Sequence, residues 1–186
     1  MKKVFLVSSI LMIILFFAQC KKLPKPVNET ELITRIDFTF TDSTNQSKIF
    51  LYCVDDAIYN NRKDTITLYP NTTYKLEIEI FSSKNTNTID TISYEIEEEA
   101  TEHQLFIISK LINNFNYLDN DSDGNPLGLI SKITTDSTKT NTLSNLTLIL
   151  RHELNKNGIG VKDGNPTNAG GGTDIDISLK IKLQEQ

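Results

Sequence analysis

Residues 174–183 read DIDISLKIKL, a run in which polar and apolar side chains alternate without a break. The apolar positions are Ile175, Ile177, Leu179, Ile181 and Leu183, and the polar positions are Asp174, Asp176, Ser178, Lys180 and Lys182. Successive side chains of a β-strand point to opposite faces of the sheet, so this period of two indicates a strand with one buried face. Residues 174–183 therefore predict a half-buried strand.

The same alternation returns in earlier segments of the chain. The apolar sets are Ile36, Phe38 and Phe40; Tyr74, Leu76, Ile78 and Ile80; and Leu146, Leu148 and Leu150, with His152 on the parity of the last set. Residues 48–54 are apolar on both faces, which predicts a central strand. Residues 65–69 and 103–108 predict two further strands, and residues 70–72 a hairpin turn. Residues 91–102 suit either a strand or a short helix.

About eight or nine short strands with little helical periodicity predict an all-β fold. The expected architecture is an antiparallel β-sandwich of the immunoglobulin-like kind, and a partly open β-barrel is the alternative. Residues 155–172 are rich in Gly and Asn and form a segment long for a compact domain, which favours a flexible or a binding loop.

The N-terminal residues have the pattern of a lipoprotein signal. Lys2 and Lys3 precede an apolar run of about 14 residues, shorter than the roughly 20 needed to span a bilayer as a helix. We predict a signal peptide at 1–19, palmitate or a related acyl chain on Cys20, a Pro-containing tether at 20–30 and one domain at 31–186. Gln19 is larger than the usual residue before a lipidated cysteine, so an uncleaved anchor is the alternative.

Charge and motifs exclude several classes of function. The formal charge of −5 becomes −7 once the two lysines of the signal are removed, which argues against nucleic acid as a partner. Cys53 lies in the apolar run KIFLYCV and is expected to be a small buried hydrophobe. The sequence contains no nucleophile elbow and no phosphate-binding glycine loop, so we expect a protein that is not an enzyme.

An Asp-x-Asp-x-Asp-Gly run gives the strongest chemical signal. Asp119, Asp121, Asp123 and Asn125 place oxygen ligands at alternate positions, and Gly124 permits the sharp turn that lets them converge on Ca²⁺. The twelfth position of an EF-hand loop would be Ile130, which cannot act as a ligand, so the full motif is absent. The alternative is a polar turn, since turns use the same residues.

His103 and His152 are the only histidines in the chain, and each lies at one end of a predicted strand. If those ends meet, the two imidazoles are candidate ligands of a transition metal, with Glu99, Glu102 or Glu153 nearby. The alternative is a pair of partly buried histidines without a metal. The acidic residues at positions 95 and 97–99 predict a solvated turn.

Five segments resemble the small lipoproteins of Bacteroidota-type bacteria that are often labelled type 1 periplasmic-binding-fold superfamily proteins. They are NETELITRIDFTF (28–40), EIEEEATEHQLFI (95–107), DNDSDGNPLGLISKITT (119–135), LTLILRHELNKN (146–157) and GGTDIDISLKIKL (171–183). The resemblance implies an envelope lipoprotein without an established activity, found beside TonB-dependent outer-membrane receptors. The fold in that label requires alternating strands and helices, and the strand-rich pattern here favours a sandwich instead.

The sequence thus predicts a non-enzymatic lipoprotein, anchored in the outer membrane through Cys20. Its expected role is to bind a ligand or partner as an accessory to uptake, with a TonB-dependent receptor as the candidate partner. A calcium-stabilised structural or adhesive module is one alternative. A metal or haem scavenger that uses His103 and His152 is the other.

Overall fold

The computed structural model describes residues 32–54, 60–85, 88–139 and 141–185. Within these ranges the chain forms ten strands and one α-helix. The strands are β1 (Arg35–Asp42), β2 (Ser47–Cys53), β3 (Ile66–Leu68), β4 (Thr73–Asn85), β5 (Thr88–Thr91), β6 (His103–Ser109), β7 (Ile112–Tyr117), β8 (Ile130–Thr135), β9 (Leu143–His152) and β10 (Gly172–Leu183), and the helix is α1 (Ile92–Glu98). The all-β prediction is confirmed.

The strands form two sheets. The larger sheet has the order β2-β1-β4-β8-β7, with β5 paired to β4, and the smaller sheet has the order β3-β10-β9-β6. Neighbouring strands are antiparallel except for β3 and β10, which are parallel. The two sheets share one hydrophobic core, to which both contribute alternate residues.

The period-two patterns identified the core correctly. Ile36, Phe38, Phe40, Leu76, Ile80, Leu146, Leu148 and Ile181 are all 0% exposed. Burying one such side chain fully contributes about 1.5–3 kcal/mol to folding. In β10 the pattern is less regular than the sequence suggested, because Ile177 is only partly buried.

Two strand predictions were wrong in detail. β2 is an edge strand of the larger sheet and not a central one, since β1 is its neighbour in the strand order. Its outward apolar residue Ile49 is 58% exposed, whereas Phe50 packs edge-on against Phe40 at 5.9 Å between ring centroids. The turn at 70–72 is not a hairpin, because β3 belongs to the smaller sheet and β4 to the larger.

Residues 92–98 of the segment 91–102 form the helix α1, one of the two structures that we expected there. Ile92 and Ile96 of α1 are buried, and the Ser93 hydroxyl accepts a hydrogen bond of 2.7 Å from the backbone N–H of Ile80. The predicted acidic turn is thus mainly the exposed face of α1, which carries Glu95 and the two glutamates that follow Ile96.

The segment 155–172 has its own structure. It contains two 3₁₀ helices, Val161–Asp163 and Pro166–Asn168. Val161 and Ala169 pack with Phe106 of β6 in a second small core, in which all three are 0% exposed. The loop therefore covers the outer face of the smaller sheet.

The predicted signal peptide 1–19, the predicted tether 20–30 and Cys20 lie outside the described residues. In the part that is described, no helix is long and apolar enough to cross a bilayer. Cys53 is 0% exposed, which confirms its predicted burial.

Candidate functional site

The two histidines lie directly opposite each other on neighbouring strands. His103 begins β6 and His152 ends β9, and the antiparallel register of these strands pairs the two residues. Their rings are stacked, with centroids 4.6 Å apart and planes 13° from parallel. The structure therefore brings together two residues that are 49 positions apart in the sequence.

Four acidic side chains surround the stacked rings. The Nε2 atom of His103 lies 3.8 Å from a carboxylate oxygen of Asp174, and the Nε2 atom of His152 lies 3.7 Å from one of Glu102. We call this group the histidine–carboxylate cluster. Its members are Glu99, Glu102, His103, His152, Glu153 and Asp174.

Two overlapping sets of potential metal ligands lie within the cluster. Glu99, His103 and His152 form one set, and Glu102, His152 and Glu153 form the other. In each set the ligand atoms lie within 4.8 Å of one another. Ligands of one zinc ion lie about 2.0–2.1 Å from the metal and hence about 3.3 Å apart, so binding requires movements on the order of 1 Å.

A backbone hydrogen bond fixes the tautomer of His103. Its Nδ1 atom lies 3.1 Å from the carbonyl oxygen of Glu99. A carbonyl oxygen only accepts, so Nδ1 carries the proton of this bond and Nε2 of the neutral ring keeps its lone pair. A backbone carbonyl that accepts from one ring nitrogen in this way is a usual outer-shell partner of a metal-binding histidine.

Burial keeps His103 neutral. The buried position of this side chain lowers its pKa below the ordinary value of 6.5, and the neighbouring His152 acts in the same direction. The hydrogen bond to Glu99 and the carboxylate of Asp174 oppose this shift without reversing it. His103 therefore stays available as a neutral nitrogen ligand at neutral pH.

The stacked rings must rearrange to share an ion. Nitrogen lone pairs lie in the plane of an imidazole, so two parallel rings cannot both aim at one ion until one of them turns. The His152 side chain is 19% exposed and that of His103 is 6% exposed, so His152 has more freedom to turn. Face-to-face rings also do not suit haem, whose two axial nitrogens point at each other across the iron.

The long loop returns to the cluster at a glycine. Gly171 has a φ of +72°, and a Cβ atom at this position would lie within van der Waals overlap of the His152 carbonyl oxygen. Only glycine lets the chain pass so close to the backbone of His152. The glycine run 170–172 therefore closes the loop beside the cluster.

The cation bound by the Asp119–Asn125 loop is the side-chain ammonium of Lys156. The ammonium of Lys156 donates to Asp121 Oδ2 at 3.0 Å, to the Ala100 carbonyl at 2.7 Å and to the Pro126 carbonyl at 2.9 Å. The side chains of Lys156 and Asp121 are only 4% and 1% exposed. We call these four residues the buried lysine bridge.

Protein donors occupy the carboxylates of Asp119 and Asp121. Asp121 Oδ1 accepts from the N–H groups of Asp123 and Asn125, and the two oxygens of Asp119 accept from the N–H groups of Gly128 and Ile130. The potential ligand sets among the described residues do not include these three aspartates. The geometry favours a loop closed by its own lysine, and the calcium site stays a prediction.

The charge of Asp121 follows from these contacts. Burial raises the pKa of its carboxyl group, but the hydrogen bonds from Asn125 and Lys156 outweigh burial and hold the pKa below its ordinary value. Asp121 is therefore ionised beside the ammonium of Lys156.

The buried lysine bridge and the histidine–carboxylate cluster are adjacent. Ala100, which accepts from Lys156, follows Glu99 in the turn between α1 and β6. Glu102 ends that turn, and its carbonyl accepts from the N–H of Glu153 at 2.7 Å. Lys156 thus fixes the turn that carries two acidic members of the cluster.

The sequence did not reveal Asp174 or Lys156 as site residues. Strict alternation placed Asp174 on the solvent side of β10, but the pairing with β9 shifts between Thr173 and Ile175. Asp174 lies at this irregularity, and its carboxylate is 3.8 Å from His103 Nε2. Lys156 is a single lysine in a loop rich in Asn and Gly, and no sequence signal distinguishes it from an exposed lysine.

A concave surface lies beside α1. It is an open groove of about 370 Å³ between the helix and the outer face of the larger sheet, lined by Glu77, Glu79, Tyr94 and Glu97 among others.

Comparison of the chain with family models, with curated proteins and with solved structures found no match.

Proposed function

We propose that this chain is a non-enzymatic, lipid-anchored protein of the bacterial cell envelope that binds a divalent transition-metal ion at its histidine–carboxylate cluster. The observation that supports this best is the pairing of His103 with His152 across β6 and β9. The two histidines are far apart in the sequence, and this strand register is what places them side by side. They are the residues most suited to a transition metal in the chain.

The ligand types favour zinc or copper over calcium. Imidazole nitrogen combined with carboxylate oxygen suits Zn²⁺ and Cu²⁺, whereas Ca²⁺ takes oxygen ligands alone. The Nδ1 atom of His103 is bonded to a backbone carbonyl, so its Nε2 lone pair is oriented in advance. The cluster is also partly open to solvent, with the Glu102 and Asp174 side chains 33% and 31% exposed.

The anchoring part of the proposal rests on the N-terminal sequence. A lipid on Cys20 and the following Pro-containing tether would hold the cluster near the outer-membrane surface. There the protein would capture a metal ion and present it to an uptake receptor, and a TonB-dependent receptor is the partner that we propose. Metal capture at the membrane would thus be the accessory role in uptake that we expected from the sequence.

Equilibrium dialysis of the full-length chain in detergent with Zn²⁺ tests the metal site. We expect the wild type to bind zinc, and His103→Gln and His152→Gln each to weaken binding by at least about 10- to 100-fold, the loss seen even for outer-shell partners. Glu79→Gln, an acidic change outside the cluster, is the matched control and should bind as the wild type does. Labelling with a fatty acid, lost in Cys20→Ala, checks the anchor.

Two outcomes would overturn the metal site. One is a wild-type chain that binds neither Zn²⁺ nor Cu²⁺. The other is binding that both histidine variants retain, which would place the metal elsewhere. Circular dichroism of each variant establishes that the fold is intact.

A further inference from the structure

The backbone at Glu153 is in a conformation that the rest of the described chain reserves for asparagine and glycine. Among the described non-glycine residues, those with positive φ are Asn45, Asn60, Asn61, Asn71, Asn141 and Glu153. Glu153 has a φ of 52°. Asparagine is enriched in this left-handed region because its short side chain tolerates it, whereas a long side chain is uncommon there and costs stability.

The conformation places Glu153 beside His152. The chain leaves β9 at this residue, and its N–H donates to the Glu102 carbonyl at 2.7 Å. The carboxylate of Glu153 lies with those of Glu102 and the ring of His152 in the second potential ligand set, with ligand atoms within 4.8 Å. Glu153 is exposed and His103 is 5% exposed, so this set forms the outer side of the cluster.

The turn itself does not require a glutamate. Asparagine or glycine would make the same backbone hydrogen bond without the strain, since the donor is the main-chain N–H. Strained residues that the surrounding structure holds in place cluster at binding and active sites. The backbone turn therefore does not explain why residue 153 is a glutamate.

We propose that Glu153 is a metal-binding residue whose carboxylate joins Glu102 and His152 on the solvent side of the cluster. This inference rests on the proposed function and assigns the outer ligands of the same site. The strained backbone keeps the carboxylate next to His152 at the expense of stability. Replacing Glu153 should then lower metal affinity and, where the new residue tolerates positive φ, raise stability.

Two substitutions separate the side chain from the backbone. Glu153→Asn removes the carboxylate and relieves the strain, whereas Glu153→Gln removes the charge and keeps a long side chain. Both should weaken zinc binding by about 10-fold or more. In the presence of a chelator, so that bound metal does not contribute, Glu153→Asn should melt about 2–4 °C above the wild type and Glu153→Gln at the same temperature.

Glu185→Asn is the control, because Glu185 is exposed and lies outside the cluster. It should change neither quantity. Wild-type affinity in Glu153→Asn and Glu153→Gln would overturn the inference while leaving the histidine site intact. Weaker binding together with a lower melting temperature of both metal-free variants would overturn it too, since that result indicates a structural role. Failure of the wild type to bind zinc would instead refute the proposed function.

Discussion

The buried lysine bridge and the histidine–carboxylate cluster are neighbouring sites that differ in how far their polar side chains are buried. In the bridge, one ammonium and one carboxylate are almost fully buried, and the cation is part of the chain. In the cluster, imidazole nitrogens and acidic side chains meet at a surface that solvent reaches. The bridge is suited to holding two loops together, and the cluster is suited to exchanging a ligand.

A sequence motif and a contact in the folded structure differ in how well they identify a binding site. The Asp-x-Asp-x-Asp-Gly run has the spacing of a calcium loop, yet its oxygens accept hydrogen bonds from the loop and from Lys156. The histidines have no motif spacing, yet the strand register brings them together. Spacing along the chain describes how a loop turns, whereas register across a sheet determines which distant residues share a site.

Removing the cation of the bridge should give the largest effect. Lys156→Met leaves the buried carboxylate of Asp121 without its partner, and breaking a buried pair in this way costs about 3–5 kcal/mol. Urea unfolding of the wild type and the variant measures the loss of unfolding free energy.

Lys75→Met is the matched control for that experiment. Lys75 and Glu77 form an equally direct ion pair, 2.6 Å between nitrogen and oxygen, but their side chains are 47% and 38% exposed. An exposed pair contributes about 0–1 kcal/mol. Equal losses in Lys156→Met and Lys75→Met would show that the bridge is not the stabilising contact that its burial indicates.

As the pH falls, the stability that depends on the cluster should be lost before the stability that depends on the bridge. His103 has a pKa below its ordinary value of 6.5 in the folded chain, so the unfolded state binds more protons than the folded state as the pH falls. This difference in proton binding lowers the free energy of unfolding below pH 6.5 and has no effect well above it. Stability of the metal-free protein should therefore fall as the pH drops below 6.5. The Asp121 contribution persists down to its ordinary value of 3.8 and is lost below it.

Thermal unfolding across a pH series in chelator measures this effect. His103→Gln should flatten the decline that begins at pH 6.5 while leaving the loss below pH 3.8 unchanged. A decline of the same size in His103→Gln would refute the assignment of this titration to His103.

Calcium should have the smallest effect. The ammonium of Lys156 already lies against the Asp121 carboxylate, so Ca²⁺ would have to displace a buried charge. We expect the melting temperature to be the same with Ca²⁺ and with chelator. A rise with Ca²⁺ that is lost in Asp123→Ala would establish the calcium-stabilised module instead, because ligand binding to the native state raises its apparent stability.

The sequence predicted the fold class because alternation reports burial directly. The β4 and β9 patterns identified their core residues, and the two-sheet architecture follows from having many half-buried strands. Alternation does not report strand neighbours, which is why the apolar β2 was taken for a central strand. It also cannot assign β3 and β4 to different sheets, because a turn with Pro70 and Asn71 suits either connection.

The histidines of the candidate site were predicted from the sequence, but its arrangement was not. His103 and His152 were predicted as candidate metal ligands, and their meeting depended on a register that local pattern does not determine. Asp174 lies at an irregularity in the strand pairing, and Lys156 depended on a long loop folding back over the smaller sheet. These features arise from contacts between residues far apart in the sequence.

The parallel pairing of β3 with β10 has a consequence for the order of folding. β10 lies inside the smaller sheet, between β3 and β9, although it is the latest strand in the sequence. The smaller sheet therefore cannot assemble while β10 is still being synthesised, and until then β3 and β9 expose unpaired edges. Such long-range pairing is intrinsically slow. The smaller sheet thus forms late, which would suit the proposed export of the chain through a membrane before it folds.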